Sequence, residues 1–297
     1  MMRILILSGF AFMFLELHLN GNLNKYINTK YAYLSISAIV LLVLLLIFEI
    51  IRAYLEEKAE KAASAGGHHE HSVQDHIHHS HPHDFHGHTH VKPSVWKQTL
   101  GSLILIFPVF TGIFFPVETL DSSFVKAKGF SFPSMEEKLS GAGYHQFLKP
   151  DISMFYGKNG YQKLSQQDMS EIVSLKEIIL NDKNYLRSLE VIYNHPASFM
   201  GKSIGIDGFI YKGEQVDENH YFVFRFGFIH CVADSGVYGM LVEFPKGTVL
   251  KDDQWIHVTG QLTSELYLPF KQTIPMLKAD VWDEIPAPSN PYVYRFF

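Results

Sequence analysis

From Tyr31 to Phe48 the chain reads Tyr-Ala-Tyr-Leu-Ser-Ile-Ser-Ala-Ile-Val-Leu-Leu-Val-Leu-Leu-Leu-Ile-Phe, without one charged residue. With the apolar flank to Leu55 it reaches the roughly 20 residues that cross a hydrocarbon core. An amphipathic surface helix needs one polar face, and this stretch has none. The reading that follows is a helical membrane anchor carrying something more polar.

Two further runs flank it. Gln98–Val117 is uncharged over twenty residues, with Trp96 at its start where an interfacial aromatic is expected. Its Pro108 would break a soluble helix but is tolerated inside a membrane. Ile4–Leu15 is also uncharged and extends to Leu19 through Glu16 and His18. Asn-Gly-Asn-Leu-Asn follows with no small-residue cleavage pattern, so an uncleaved helix is expected rather than a signal peptide. Glu16 and His18 are then either functional intramembrane groups or ordinary interfacial ones. The sequence thus predicts three transmembrane helices: two in residues 1–55 and a third at 96–117.

Three spans put the N-terminus and residues 56–95 on one side, and the 20–30 loop and C-terminal region on the other. The first side carries Arg3, Arg52, Lys58, Lys61, Lys92 and Lys97; the second carries Lys25, Lys30, Lys126 and Lys128. That excess favours a cytoplasmic 56–95 loop and an exported C-terminal domain in a multi-pass membrane protein.

The whole chain has 297 residues, 47% apolar and 19% charged, with a net charge of -5. Only five arginines occur and no basic stripe, so nucleic acid is excluded as a partner while membrane lipid is expected. A single cysteine, Cys231, excludes an internal disulfide framework and a cysteine-cluster metal site.

Histidine is the outlier. Of 17 in the chain, eleven fall in the 56–95 loop: His68, His69, His71, His76, His78, His79, His81, His83, His86, His88 and His90. Imidazole suits zinc, nickel, copper and cobalt, and the recurring His-x-His spacing lets neighbouring rings reach one ion. Glu70, Asp75 and Asp84 could add oxygen ligands. A low-complexity tract has no supporting contacts to hold its rings, so capture and exchange of a divalent ion, zinc favoured, fits better than catalysis. The plain alternative is a solvated linker whose imidazoles gain charge in mild acid. Before it, residues 53–63 are strong helix formers that should carry the second span on into water.

After Val117, residues 118–170 show turn formers and little periodicity, and are expected to form a tether with some local structure. Residues 171–297 are read as a mainly-β domain with a leading helix. Helical spacing is clearest over Tyr185–Tyr193, ending at His195-Pro196. Five strands follow at Ser203–Tyr211, Tyr221–Ile229, Val237–Phe244, Trp255–Leu262 and Thr273–Trp282. An OB-like five-stranded barrel is predicted, with a β-sandwich as the alternative. The stripe Phe222, Phe224, Phe226 and Phe228 reads as core. No paired acid and base, nucleophile elbow, zinc-protease motif or phosphate loop is present, so no enzyme is expected. His230, Cys231 and Asp234 sit within five residues and could hold a metal, or could be a strand-end His, a buried Cys and a turn-capping Asp.

Gly-Lys-Ser-Ile-Gly-Ile-Asp-Gly-Phe-Ile-Tyr from Gly201, Arg225, His-Cys-Val-Ala-Asp-Ser from His230, and Gln254-Trp-Ile-His-Val-Thr-Gly-Gln261 carry a further signal. Together with the spans and the His-rich loop, they resemble the YcgQ-like family of bacterial membrane proteins, most strongly over Phe199–Leu262. The resemblance implies a multi-span permease as partner and, more weakly, a role in zinc homeostasis. The family pattern at His230–Asp234 is Cys-Cys-x-x-Asp; here His230 replaces the first Cys, a change zinc would accept. The expected function is a non-enzymatic permease subunit that binds and hands off metal. The alternative is an envelope interaction module whose barrel binds a protein or glycan while the loop only buffers metal.

Overall fold

The computed structural model describes residues 2–65, 95–128, 130–131, 146–147, 158–213, 218–268 and 271–295. All eleven histidines from His68 to His90 lie outside the described residues. The chain forms two units, Met1–Gly21 with Tyr33–Val117, and Asn22–Ala32 with Glu118–Phe297.

The first unit is helical: α1 (Met2–Leu19), α2 (Ala32–Ala65) and α3 (Val95–Phe114). Antiparallel α1 and α2 are tied at both ends, by Arg3–Glu49 at 3.6 Å and by His18 Nε2–Ser35 Oγ at 2.5 Å. α3 runs parallel to α1. A Cβ on Gly9 would lie 2.8 Å from Val109 Cγ1, and one on Gly112 would lie 2.5 Å from Met13 Sδ. These glycines let the two backbones approach, as small residues do between membrane helices. The polar end of α2 is helical to Ala65 as expected, with Arg52–Glu56 and Lys61–Glu57 pairs one turn apart.

The count of spans is corrected. Among the described residues two helical stretches, Met2–Leu19 and Thr29–Ala62, are long and apolar enough to cross a membrane, not three. The third apolar helix covers only Thr99–Phe114, about 24 Å of rise. The uncharged run continues to Val117, but Pro116 disfavours helical backbone at the residue before it, and the helix stops at Phe114.

The second unit is built on a mixed sheet. The stretch expected to be a tether is partly structured: α4 (Ser122–Lys128), β1 (Phe130–Ser131) paired with β2 (Gln146–Phe147), and α5 (Lys158–Val173). Val125 of α4 is fully buried, and Ser122 is held by the Asp253 carboxylate through its N–H at 2.8 Å and its hydroxyl at 2.6 Å. Then come β3 (Glu177–Leu180), α6 (Tyr185–Asn194), β4 (Ser203–Tyr211), β5 (His220–Phe228), β6 (Gly236–Glu243), β7 (Trp255–Tyr267), β8 (Gln272–Glu284) and β9 (Tyr292–Tyr294). The five expected strands are all present; β3 and β9 were not anticipated, being only four and three residues long.

Sheet order is β3-β4-β7-β8-β6-β5-β9, and β4 also pairs with β5. The pairings of β4, β7, β8, β6 and β5 therefore close on themselves. Tight coiling needs backbone to approach backbone: a Cβ on Gly239 would sit 1.9 Å from Val223 O, and one on Gly260 2.0 Å from Lys278 O. One core cluster draws on all five of these strands and on α6, with Leu186, Leu189, Ile206, Val223, Met240, Val258 and Leu277 among its members. A second gathers the even-numbered phenylalanines of β5 with Val125 of α4 and Tyr292 and Tyr294 of β9. The Phe stripe is thus core, as expected.

Buried charge locks the periphery. Arg295 meets Asp168 at 2.7 Å and Glu190 at 3.3 Å, joining the C-terminal end to α5 and α6. Arg225 is fully buried, bonds Asp182, and lies 5.7 Å from the rings of both Tyr185 and Trp255. These pairs fix one arrangement of helix on sheet, since removing either partner would strand a buried charge.

Candidate functional site

The His-Cys-Val-Ala-Asp-Ser stretch leaves β5 as a one-turn 3₁₀ helix at Val232–Asp234. Its geometry is set by Asp234. One carboxylate oxygen accepts from Ile229 N at 3.0 Å and Cys231 N at 3.3 Å; the other accepts from His230 N at 2.8 Å and lies 3.1 Å from His230 Nδ1. A short acidic side chain following a strand end can close a turn on itself in this way.

That arrangement is a capped turn built on His230, Cys231 and Asp234. Both Asp234 oxygens are committed to backbone N–H groups, and the His230 ring is drawn to the same carboxylate. Among the described residues no group of three or more His, Cys, Asp and Glu side chains is arranged to hold a metal ion. The turn-capping alternative describes the site.

What the turn holds instead is another part of the chain. Residues 22–32, which link α1 to α2, belong to this unit. Ile27 pairs with Cys231 in an antiparallel bridge. Asn28 N donates to His230 O at 2.9 Å, and Val232 N donates to Tyr26 O at 2.8 Å. Asn28 is fully buried; its amide donates to Ile229 O at 3.0 Å and Arg295 O at 3.4 Å, while its oxygen accepts from Lys30 N at 3.1 Å. From β9, the Tyr294 hydroxyl donates to Asn24 O at 2.6 Å. Burial pushes the Tyr294 phenol up to about 12, so it stays a donor across the physiological range. The Tyr31 and His230 rings lie 5.6 Å apart, and Leu23, within the segment, is buried.

Sequence reasoning passed over Asn24, Asn28 and Tyr294. Asn-Gly-Asn-Leu-Asn looks like any polar connector, and nothing local marks Asn28 as buried. The available signal was the polar cluster between two apolar runs, too short to be a domain yet able to satisfy another segment's backbone.

In the helical unit, His18 meets Ser35, while one Glu16 oxygen lies 3.4 Å from Asn20 Nδ2. Leu5, Ile6, Ser8, Gly9, Phe12, Ile106 and Val109 line a cavity of about 360 Å³ between α1 and α3. Its walls are almost wholly apolar, and no titratable side chain lines it.

Comparison with known proteins places these features in a family. Residues 2–131 match the DUF1980 N-terminal domain, and residues 155–295 match the DUF1980 C-terminal domain. The chain is 49% identical over 299 residues to the UPF0703 protein YcgQ of Bacillus subtilis (strain 168), covering the full length of both. It is 34% identical over 302 residues, again full length on both sides, to a Streptococcus mutans serotype c protein named as a two-component membrane permease complex subunit. With apolar N-terminal helices, a sheet domain and full-length similarity all in agreement, the chain belongs to the YcgQ (UPF0703) family of membrane proteins.

Proposed function

We propose that this protein is the non-enzymatic accessory subunit of a two-component membrane permease, with a multi-span permease as its partner. Its sheet domain stands on one side of the membrane and its His-rich loop on the other. The observation that carries the topology is the seating of residues 22–32 in the same unit as residues 118–297. Two segments joined by main-chain hydrogen bonds share one aqueous side. The chain between them must then leave that side through α2 and return to it. The closed ring of strand pairings supports the OB-like reading of the domain.

On this topology residues 66–90 face the compartment opposite the domain, cytoplasmic by the lysine and arginine bias. Their density of imidazole suits collection of a divalent cargo ion, zinc favoured, for hand-off to the permease. Single cysteines placed in the loop of a Cys231→Ser background and tested with a membrane-impermeant maleimide read the sidedness. The loop and native Cys231 should label from opposite sides; labelling from one side overturns the topology. Deleting residues 68–90 should change cellular zinc content or zinc tolerance, and unchanged growth across a zinc range overturns the metal role.

A further inference from the structure

The linker between the first two helices is held to the sheet domain in a way that differs from every strand of the ring. We propose that residues 22–32 are a releasable strap, seated on residues 229–232 of the sheet domain. The inference rests on the unit-two contacts themselves and does not require the permease reading.

The receiving side is built to stay in place. Asp234 pins three successive N–H groups, of Ile229, His230 and Cys231. With those donors fixed, His230 O and Val232 N point at the strap and bond Asn28 N and Tyr26 O. The strap side is built differently. It meets the turn through a single bridge, Ile27 with Cys231, whereas β7 and β8 pair over most of their length. Its specificity comes from Asn28, whose fully buried amide is satisfied only when Ile229 O, Arg295 O and Lys30 N are all in reach. Few apolar groups add to this: Leu23 is buried, while Tyr26 remains 37% exposed. Seating also leaves Asn24 Oδ1 buried without a hydrogen-bond partner among the described residues, a cost that release removes.

A segment with few buried apolar contacts and a handful of backbone bonds opens locally at far lower free energy than the ring it rests on. The turn, with Asp234 clamped, is the fixed jaw; the strap is the moving part. This assigns the His-Cys-x-x-Asp stretch the role of seat for the strap.

Cys231 is the only cysteine in the chain and lies directly opposite Ile27, which makes it a native reporter. The test uses the full-length protein in detergent micelles and follows maleimide labelling of Cys231 beside the thermal transition of the domain. Asn28→Ala should raise the labelling rate at least about tenfold while the domain transition moves by only a few degrees. In a second variant, Ile27→Cys, mild oxidation should close a disulfide to Cys231, since directly paired antiparallel residues are within bridging range. Unchanged Cys231 labelling in Asn28→Ala, or no cross-link in Ile27→Cys, overturns the strap. A domain that melts together with strap release shows residues 22–32 to be inseparable core, and overturns the releasable part of the proposal.

Discussion

α1 and β5 are both strongly apolar, yet none of the residues of α1 is buried and all nine residues of β5 are. In the sheet domain, apolar side chains are removed from water by other side chains, on both faces of β5. In the helical unit they point outward: Leu41, Leu44, Phe48 and Phe107 are each more than half exposed. The same composition therefore answers to two solvents. Glycine shows the contrast again. In the domain Gly239 and Gly260 allow strand backbone to touch strand backbone, whereas Gly9 and Gly112 allow one helix to settle on another without a hydrophobic driving force.

The comparison can be broken at several points, and the largest effect is expected in the ring. Gly239→Val would place a branched side chain against Val223 O and should destabilise the domain by about 4 kcal/mol or more, read as loss of its cooperative thermal transition. Leu44→Lys, at a position 59% exposed, should impair membrane insertion by about 3 kcal/mol, whereas Val249→Lys, at 80% exposure in the domain, should change stability by less than about 0.5 kcal/mol. Equal tolerance of lysine at both positions in a membrane-fractionation assay would abolish the two-solvent distinction.

Asp234→Ala comes next. It removes the acceptor of three turn N–H groups and should lower domain stability by about 2 kcal/mol in a denaturant titration, with faster labelling of Cys231. Gly9→Leu should weaken α1–α3 packing by about 1 kcal/mol, seen as reduced cross-linking between cysteines placed on the two helices, with the domain transition unmoved.

The smallest effect is electrostatic. Burial raises the Tyr294 phenol from its ordinary value near 10 to about 12, so the folded state favours the protonated form. Its contribution is complete below pH about 10 and is lost as pH rises from there through about 12. Tyr294→Phe should therefore flatten the fall of domain stability across that alkaline window, by at most one proton's slope. An unchanged slope would mean that Tyr294 is not held in the seated contact with Asn24 O.

The legible parts of this protein are those where periodicity or composition acts locally. The α2 run, its polar helical extension, the Phe stripe and the five main strands follow from side-chain pattern alone. β3 and β9 escaped because strands of four and three residues carry no period of their own; they exist by pairing with β4 and β5. The short α4 escaped likewise, since its place is fixed by Asp253, more than a hundred residues away.

His230, Cys231 and Asp234 show the limit most clearly. Their types and spacing suit a zinc site and a capped turn equally, because both need an acidic side chain near a strand end. What only the tertiary structure supplies is the capped turn itself, in which the carboxylate of Asp234 accepts from backbone donors.

By itself the sequence determined an apolar anchor, a histidine-dense loop and a β-rich domain, because hydropathy and alternation depend on neighbours a few residues apart. It did not determine that the 22–32 linker belongs to the domain some two hundred residues further on. That pairing rests on hydrogen bonds whose partners are remote in the chain, and a buried asparagine looks like an exposed one until its partners are in place.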